Sequence, residues 1–232
     1  MALKIAKSIT KKPKPKAFFV ISRYQEDPSW IDEYTDNYII YNKGSPLDKA
    51  FNVKVMPNTG GNQYDIAHFI HENYDNLPEI IAFVQGEPWD HCNKDKFNNI
   101  IYNEFFTSLE SYEHVDISPS SWMRLTEDGE FMELNNSWYI GPHNATHNQT
   151  CAYSSFNHFM NTIFINYNGP MYIKFAPGSQ YIIEKKQALQ YPKSFWNNLM
   201  SILPKNHMTE AHIIERAMWH IFNGTYKIKS VQ

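Results

Sequence analysis

Apolar and polar positions alternate between two periods along the chain. The first apolar run, Ala17-Phe-Phe-Val-Ile-Ser22, is short, rich in branched and aromatic residues, and stopped by polar Arg23 to Asp27, so it predicts a buried strand feeding a loop. Asp27 stands before Pro28, where an acidic side chain can cap and proline can occupy the first turn of a short helix through Trp30, Ile31 and Tyr34. Asn37 to Tyr41 predicts a second strand, and Val53 to Met56 a short third one. After Gly60-Gly61, residues Ile66, Phe69, Ile70 and Tyr74 have helical spacing, and that helix should stop near Asn76-Leu-Pro78. Glu79 to Gln85 is almost continuously apolar, the pattern of a central parallel strand covered on both faces.

Beyond that strand the alternation fades. Phe97 to Tyr112 reads as helix, and Asp116 to Thr150 as irregular and polar, with a hairpin around Asp128-Gly129. Ser154 to Phe164, Pro192 to Leu203 and Thr209 to Phe222 have helical patterns, with Gly178 to Glu184 as a strand. No internal repeat or change of composition divides the chain. The expectation is one α/β domain over residues 17–232, βαβ-like in its N-terminal half and mixed in its C-terminal half, preceded by a basic flexible tail over residues 1–16.

Composition narrows the function classes. A chain of 232 residues, 42% hydrophobic and 16% aromatic, has ample material for a core, which excludes a disordered protein. It lacks both an apolar run of membrane-spanning length and a signal-peptide core, so the default compartment is the cytoplasm. Cys92 and Cys151 are too few and too far apart for a disulfide framework or a four-cysteine zinc site and read as reduced thiols. Six lysines between Lys4 and Lys16 make the tail +6, leaving 15 basic and 24 acidic residues and a body at −9. An acidic body is not a nucleic-acid surface, although the tail could touch phosphate or an anionic membrane. The sequons at Asn144, Asn148 and Asn223 lack a secretory context and read as chance.

Ligands of open parallel sheets lie beyond the carboxyl ends of the strands. The loop after the first strand carries Arg23, Glu26 and Asp27, and the loop after the central strand carries Glu87, Asp90 and His91. Neither contains a dinucleotide-binding or phosphate-loop glycine pattern. Glu87 and Asp90 offer the oxygen chemistry that holds Mg²⁺ or Mn²⁺, with His91 as a nitrogen neighbour; the alternative is an ordinary surface turn capped by Asp90. In His212-Ile-Ile-Glu-Arg-Ala-Met-Trp-His220, steps of four place His212, Arg216 and His220 on one helical stripe, with Glu215 beside Trp219. Glu215 could serve as a general base and His220 as a metal ligand; alternatively Ile213, Ile214, Met218 and Ile221 are the core and the polar residues only its rim.

Several blocks in order, Ile21-Ser-Arg-Tyr-Gln-Glu-Asp-Pro-Ser-Trp30, Pro57-Asn-Thr-Gly-Gly61, Phe83-Val-Gln-Gly-Glu-Pro-Trp-Asp-His91, Gly178-Ser-Gln-Tyr-Ile-Ile-Glu-Lys185 and the His212 to His220 segment, resemble a family of uncharacterised, glycosyltransferase-like proteins. More widely, the chain is similar to GT-A glycosyltransferases. That resemblance implies a GT-A-like, Rossmann-like domain with a mostly parallel central sheet flanked by helices. It also implies transfer of a sugar from a nucleotide-sugar donor to a carbohydrate or other glycan hydroxyl. In that picture Glu215 is the catalytic base. Arg23, Glu26, Asp27, Gly60, Gly61 and Gln85 bind substrate, and Glu87, Asp90, His91 and His220 serve a Mn²⁺ or Mg²⁺ ion. The sequence departs from the family's Asp-x-Asp motif, offering Glu87-Pro-Trp-Asp90 instead. A metal-dependent hydrolase or nucleotidyltransferase, or a non-catalytic carbohydrate-binding module using Trp89, Trp122, Trp138 or Trp196, are the alternatives.

Overall fold

The structure is a computed structural model that describes residues 13–47, 50–111, 116–117, 124–125, 131–132, 156–167, 173–203, 209–224 and 226–229. Most of the basic tail and most of the irregular segment therefore lie outside the described residues. Strand β1 (Phe18–Arg23) leads through a 3-10 turn at Pro28–Glu33 to β2 (Tyr38–Asn42) and β3 (Val53–Val55). Asp27 caps that turn as expected, accepting from the Ser29 amide, with Pro28 in its first position. Helix α1 (Gly61–Glu72), β4 (Ile80–Gln85), a 3-10 turn at Pro88–Asp90, α2 (Lys94–Ile100) and β5 (Thr107–Ser108) follow. Short strands β6 (Asp116–Ile117), β7 (Arg124–Leu125) and β8 (Phe131–Met132) precede α3 (Phe156–Ile163) and β9 (Ile173–Lys174). The chain closes with β10 (Tyr181–Glu184), α4 (Lys185–Leu189), α5 (Lys193–Ile202) and α6 (Thr209–Asn223).

Six strands form one sheet in the order β3-β2-β1-β4-β10-β5. β1 pairs in parallel with both β2 and β4, and β2 with β3, whereas β10 runs antiparallel to β4 and to β5. The domain is thus mixed α/β with a mostly parallel sheet. β4 is central, as its apolar run predicts, but parallel on one side only. Strand order reverses between β1 and β4, and the carboxyl ends of the strands near such a switch are where open α/β sheets usually bind ligands.

The two-residue period of each strand feeds two cores. In β1, Val20 joins one cluster while Phe19 and Ile21 join the other; in β4, Ile81 and Phe83 oppose Ala82 and Val84; in β10, Tyr181 and Ile183 oppose Ile182. The first cluster packs on α1, α5 and α6, and the second on Trp30, Ile31 and Phe97. Helices therefore cover both faces.

Three expectations need correction. The helix expected over Phe97 to Tyr112 ends at Ile100, because Thr107 and Ser108 extend to pair with β10 and a β-branched residue suits that edge. The strand expected from Gly178 begins at Tyr181, because Gly178 (φ 71°) and Ser179 (φ 52°) form a left-handed 3-10 turn. The polar stripe of α6 is no rim: Arg216 and His220 are buried along with Ile213, Ile214, Met218 and Ile221. The hairpin around Asp128-Gly129 is present as the antiparallel β7–β8 pair, its connecting residues lying outside the description. Cys92 is a buried free thiol, and Cys151 lies outside the described residues.

Candidate functional site

At the carboxyl end of β4, Gln85 borders a cavity of about 120 Å³. Its other walls are the first turn of α1, the Gly178 turn, and the start of α6 at Ala211, His212 and Glu215. Three residues proposed from sequence, Gly61, Gln85 and Glu215, meet here from positions far apart in the chain. Gly60, with φ 60°, is the N-cap of α1 and gives it no side-chain cap. A Cβ on Gly60 would lie 2.8 Å from Tyr64 Cβ and 2.9 Å from Leu203 Cβ, so close packing of α1 on α5 requires glycine there.

The cavity walls are tied together by polar side chains. Asn62 Nδ2 donates to the Gly178 carbonyl at 2.7 Å, and Gln63 Nε2 to Ser179 Oγ at 3.0 Å. Glu215 Oε1 accepts from the Gly178 amide at 2.6 Å, while Oε2 pairs with Arg216. Arg216 also donates to His212 Nδ1 at 3.1 Å and stacks 4.6 Å from the Phe175 ring centroid. Burial, with the Arg216 charge beside it, depresses His212 to about 3, so the imidazole is neutral at physiological pH. A guanidinium only donates, so Nδ1 accepts and the ring proton sits on Nε2.

A second ionic tie sets the first turn of α1. Lys43, just past β2, bonds the Gly61 carbonyl and lies 2.9 Å from the Asp65 carboxylate. Burial raises Asp65 from 3.8 to about 6, against the pull of Lys43 and of the Ser22 hydroxyl. Sequence reasoning missed Lys43, Asp65, Asn62, Gln63 and Gly178. Asp65 did leave a signal, since it falls four residues before Phe69 on the apolar stripe of α1, where an unpaired charge is costly.

The remaining proposed residues stand elsewhere. Arg23 is buried and clamps loops: Nε donates to the Glu26 carbonyl at 2.7 Å, and Nη1 to Asn42 Oδ1 at 2.6 Å and the Ser45 carbonyl at 2.7 Å. The Glu26 carboxylate accepts from the Tyr24 and Gln25 amides, and Asp27 from Ser29. Glu87 and Asp90 are exposed on the turn after β4, with His91 half-buried beside them. His220 is 5% exposed on α6, its ring edge-on to Tyr167, and burial lowers it to about 4. Among the described residues no three His, Cys, Asp or Glu side chains group closely enough to hold a metal ion. Glu87, Asp90, His91 and His220 therefore do not fit a preformed chelate.

A wider groove, of about 630 Å³, lies by the residues that precede β1, between Lys14, Asp32, Glu33 and Lys94. Exposed charged side chains share its walls with Tyr34, Asn98 and Tyr102, and it sits by the residues that lead into β1, away from the carboxyl strand ends that host ligands in this architecture. The smaller cavity, at the carboxyl end of β4, is the better candidate. No helix among the described residues is long and apolar enough to cross a membrane.

Residues 19–231 match the model of a family described as protein of unknown function (DUF3431), and the chain belongs to that family. No curated protein and no solved structure matches it.

Proposed function

We propose that this member of the DUF3431 family is a glycosyltransferase that moves a sugar from a nucleotide-sugar donor to a hydroxyl acceptor. The observation that carries the reading is the meeting of Gly61, Gln85 and Glu215 in one cavity beyond the carboxyl end of the parallel strands. The mostly parallel sheet, with helices on both faces, also supports the likeness to GT-A glycosyltransferases.

The chemistry asks for a base and for stabilisation of a departing diphosphate. In an inverting transfer the acceptor oxygen forms a bond to the sugar's anomeric carbon, the bond from that carbon to the phosphate oxygen breaks, and the acceptor proton passes to a base. Glu215 takes the proton. Each of its oxygens holds one protein hydrogen bond and keeps further acceptor capacity, and Arg216 balances its charge before transfer. The amides at the start of α1, without a side-chain cap, favour an anionic group nearby.

Glu87 and Asp90 form no preformed chelate, so a Mn²⁺ or Mg²⁺ ion would be held there only together with a bound donor, where it would offset charge on the departing diphosphate.

The test is calorimetric titration of UDP, GDP and their sugar conjugates, with and without Mn²⁺, into the wild type and Asp90→Ala. Binding of one nucleotide class, strengthened by Mn²⁺ and lost in the variant, is the expected result. Turnover of the donor without an acceptor would turn the reading toward a hydrolase. No nucleotide binding by folded protein overturns it.

A further inference from the structure

We infer that the cavity between α1, β4 and α6 is a subsite for a neutral, hydroxyl-bearing sugar ring, with Gln85 as the residue that selects it. The inference rests on the glycosyl-transfer reading for its place in a reaction, and on the chemistry of the walls for its ligand.

Gln85 Oε1 is buried without a hydrogen-bond partner. A buried carbonyl oxygen left unpaired is costly, and native proteins rarely retain one without a use. The neighbouring carboxamides are all engaged. Asn62 holds the Gly178 carbonyl, Gln63 holds Ser179 Oγ, and Gln180 accepts from the Gln85 amide at 3.1 Å and donates to the Pro88 carbonyl at 3.2 Å. Three amide side chains, Asn62, Gln63 and Gln85, thus line one cavity, with Gln180 bonded to the Gln85 backbone behind it, and the one at the strand end keeps its acceptor unspent. The Gly178 turn makes this arrangement possible, because a Cβ there would lie 2.6 Å from Gln85 Oε1.

The sign of the walls selects the ligand. Glu215 sets a carboxylate on the wall, which disfavours a phosphate or carboxylate beside it although the α1 amides attract one, and Gln85 adds an unpaired carbonyl oxygen. Arg216, buried behind the wall, pairs with Glu215 and offsets its charge, so an ammonium group gains little net attraction there. The carboxamides of Asn62 and Gln63 add side-chain N–H donors to the lining. Acceptors and donors around such a space match hydroxyl groups, each of which donates one hydrogen bond and accepts others. The volume agrees. About 120 Å³ is the space of roughly four waters, enough for the hydroxylated edge of one ring and too small for a nucleotide.

Saturation-transfer NMR with D-glucose, D-galactose, D-mannose, D-glucosamine and D-glucuronate on the full chain, in parallel with titrations of UDP and GDP, tests the assignment. At least one neutral hexose binds, glucuronate and protonated glucosamine bind more weakly, and Gln85→Met weakens the hexose by about tenfold while keeping the wild-type melting temperature. The comparison among sugars on the wild type needs no variant, so a Gln85→Met protein that fails to fold leaves it intact. Glucuronate or glucosamine binding as well as the best hexose overturns the neutral-ring assignment. Nucleotide binding without any hexose binding overturns the subsite and leaves the transfer reading standing; hexose binding without nucleotide does the reverse.

Discussion

Two cation–carboxylate pairs flank the cavity, and they differ in what surrounds them. Lys43 and Asp65 expose 5% and 0% of their side chains and join the end of β2 to α1, with the Gly61 carbonyl on the same ammonium. Arg216 and Glu215 expose 1% and 12%, and Glu215 forms part of the cavity wall. The first pair is closed on every side, so its work is to fix where the first turn of α1 stands. The second leaves a carboxylate in reach of a ligand. Charge type and pairing are the same; access to the cavity separates a closed pair from an open one.

Removing the cation from each pair sharpens the contrast most. Lys43→Met strands a carboxylate in the interior and should cost about 3–5 kcal/mol, the usual penalty for breaking a buried pair. Arg216→Met should cost less, about 2 kcal/mol, because Glu215 can draw on cavity water and the Gly178 amide, and methionine refills the space over Phe175. Urea unfolding of both variants near neutral pH measures the difference. Equal losses would mean that Glu215 is as enclosed as Asp65.

Acid unfolding separates the regions by sign. Folded Asp65 holds its proton more tightly than the unfolded chain does, since burial raises it from 3.8 to about 6. Its contribution is complete below about pH 3.8 and is lost as pH rises through about 6. His212 and His220 run the other way. Burial lowers them from 6.5 to about 3 and about 4, so their contributions are present above pH 6.5 and are lost as pH falls through those values. Over about pH 4.5 to 5.5, His212 and His220 therefore favour unfolding on acidification and Asp65 resists, so these three groups together contribute one proton, or about 1.4 kcal/mol per pH unit. His68, also lowered by burial, acts in the same direction as the other histidines. Asp65→Asn removes the resisting group, so the slope should steepen by about 1.4 kcal/mol per pH unit, which denaturant midpoints across that range will show. An unchanged slope would remove Asp65 from the account.

The strands β1, β2 and β4 and the helices α1, α5 and α6 were legible because their periodicity is local. Phe19 and Val20 point to different cores by their positions alone. What stayed hidden depends on partners distant in sequence. β5 is two residues long and exists by pairing with β10, some seventy positions away, so Thr107 and Ser108 were absorbed into a predicted helix. The site divides in the same way. Glu215 stood out within the dense polar cluster of His212 to His220, and Gln85 as the polar end of a strongly apolar strand. Asp65 fell on the apolar stripe of α1, but nothing local named its partner until the fold set Lys43 against it, and Gly178 resembled strand until its positive φ turned the chain.

Gly178→Ala is the smallest of these perturbations and the most local. At φ 71° an alanine costs about 1–2 kcal/mol in backbone strain. Its Cβ also meets Gln85 Oε1 at 2.6 Å, so the carboxamide must move out of the cavity. Gly178→Asn tolerates the left-handed backbone better yet carries the same Cβ. The two variants should therefore differ in urea midpoint, with alanine the lower, while both displace Gln85 and weaken the hexose to a similar degree. Neither touches Lys43 or Asp65, so the acid slope of each should match the wild type. A changed slope in either variant would show that the two walls are mechanically coupled through Asn62, which joins α1 to the Gly178 turn; the division between the closed pair and the open one would then fail at that hydrogen bond.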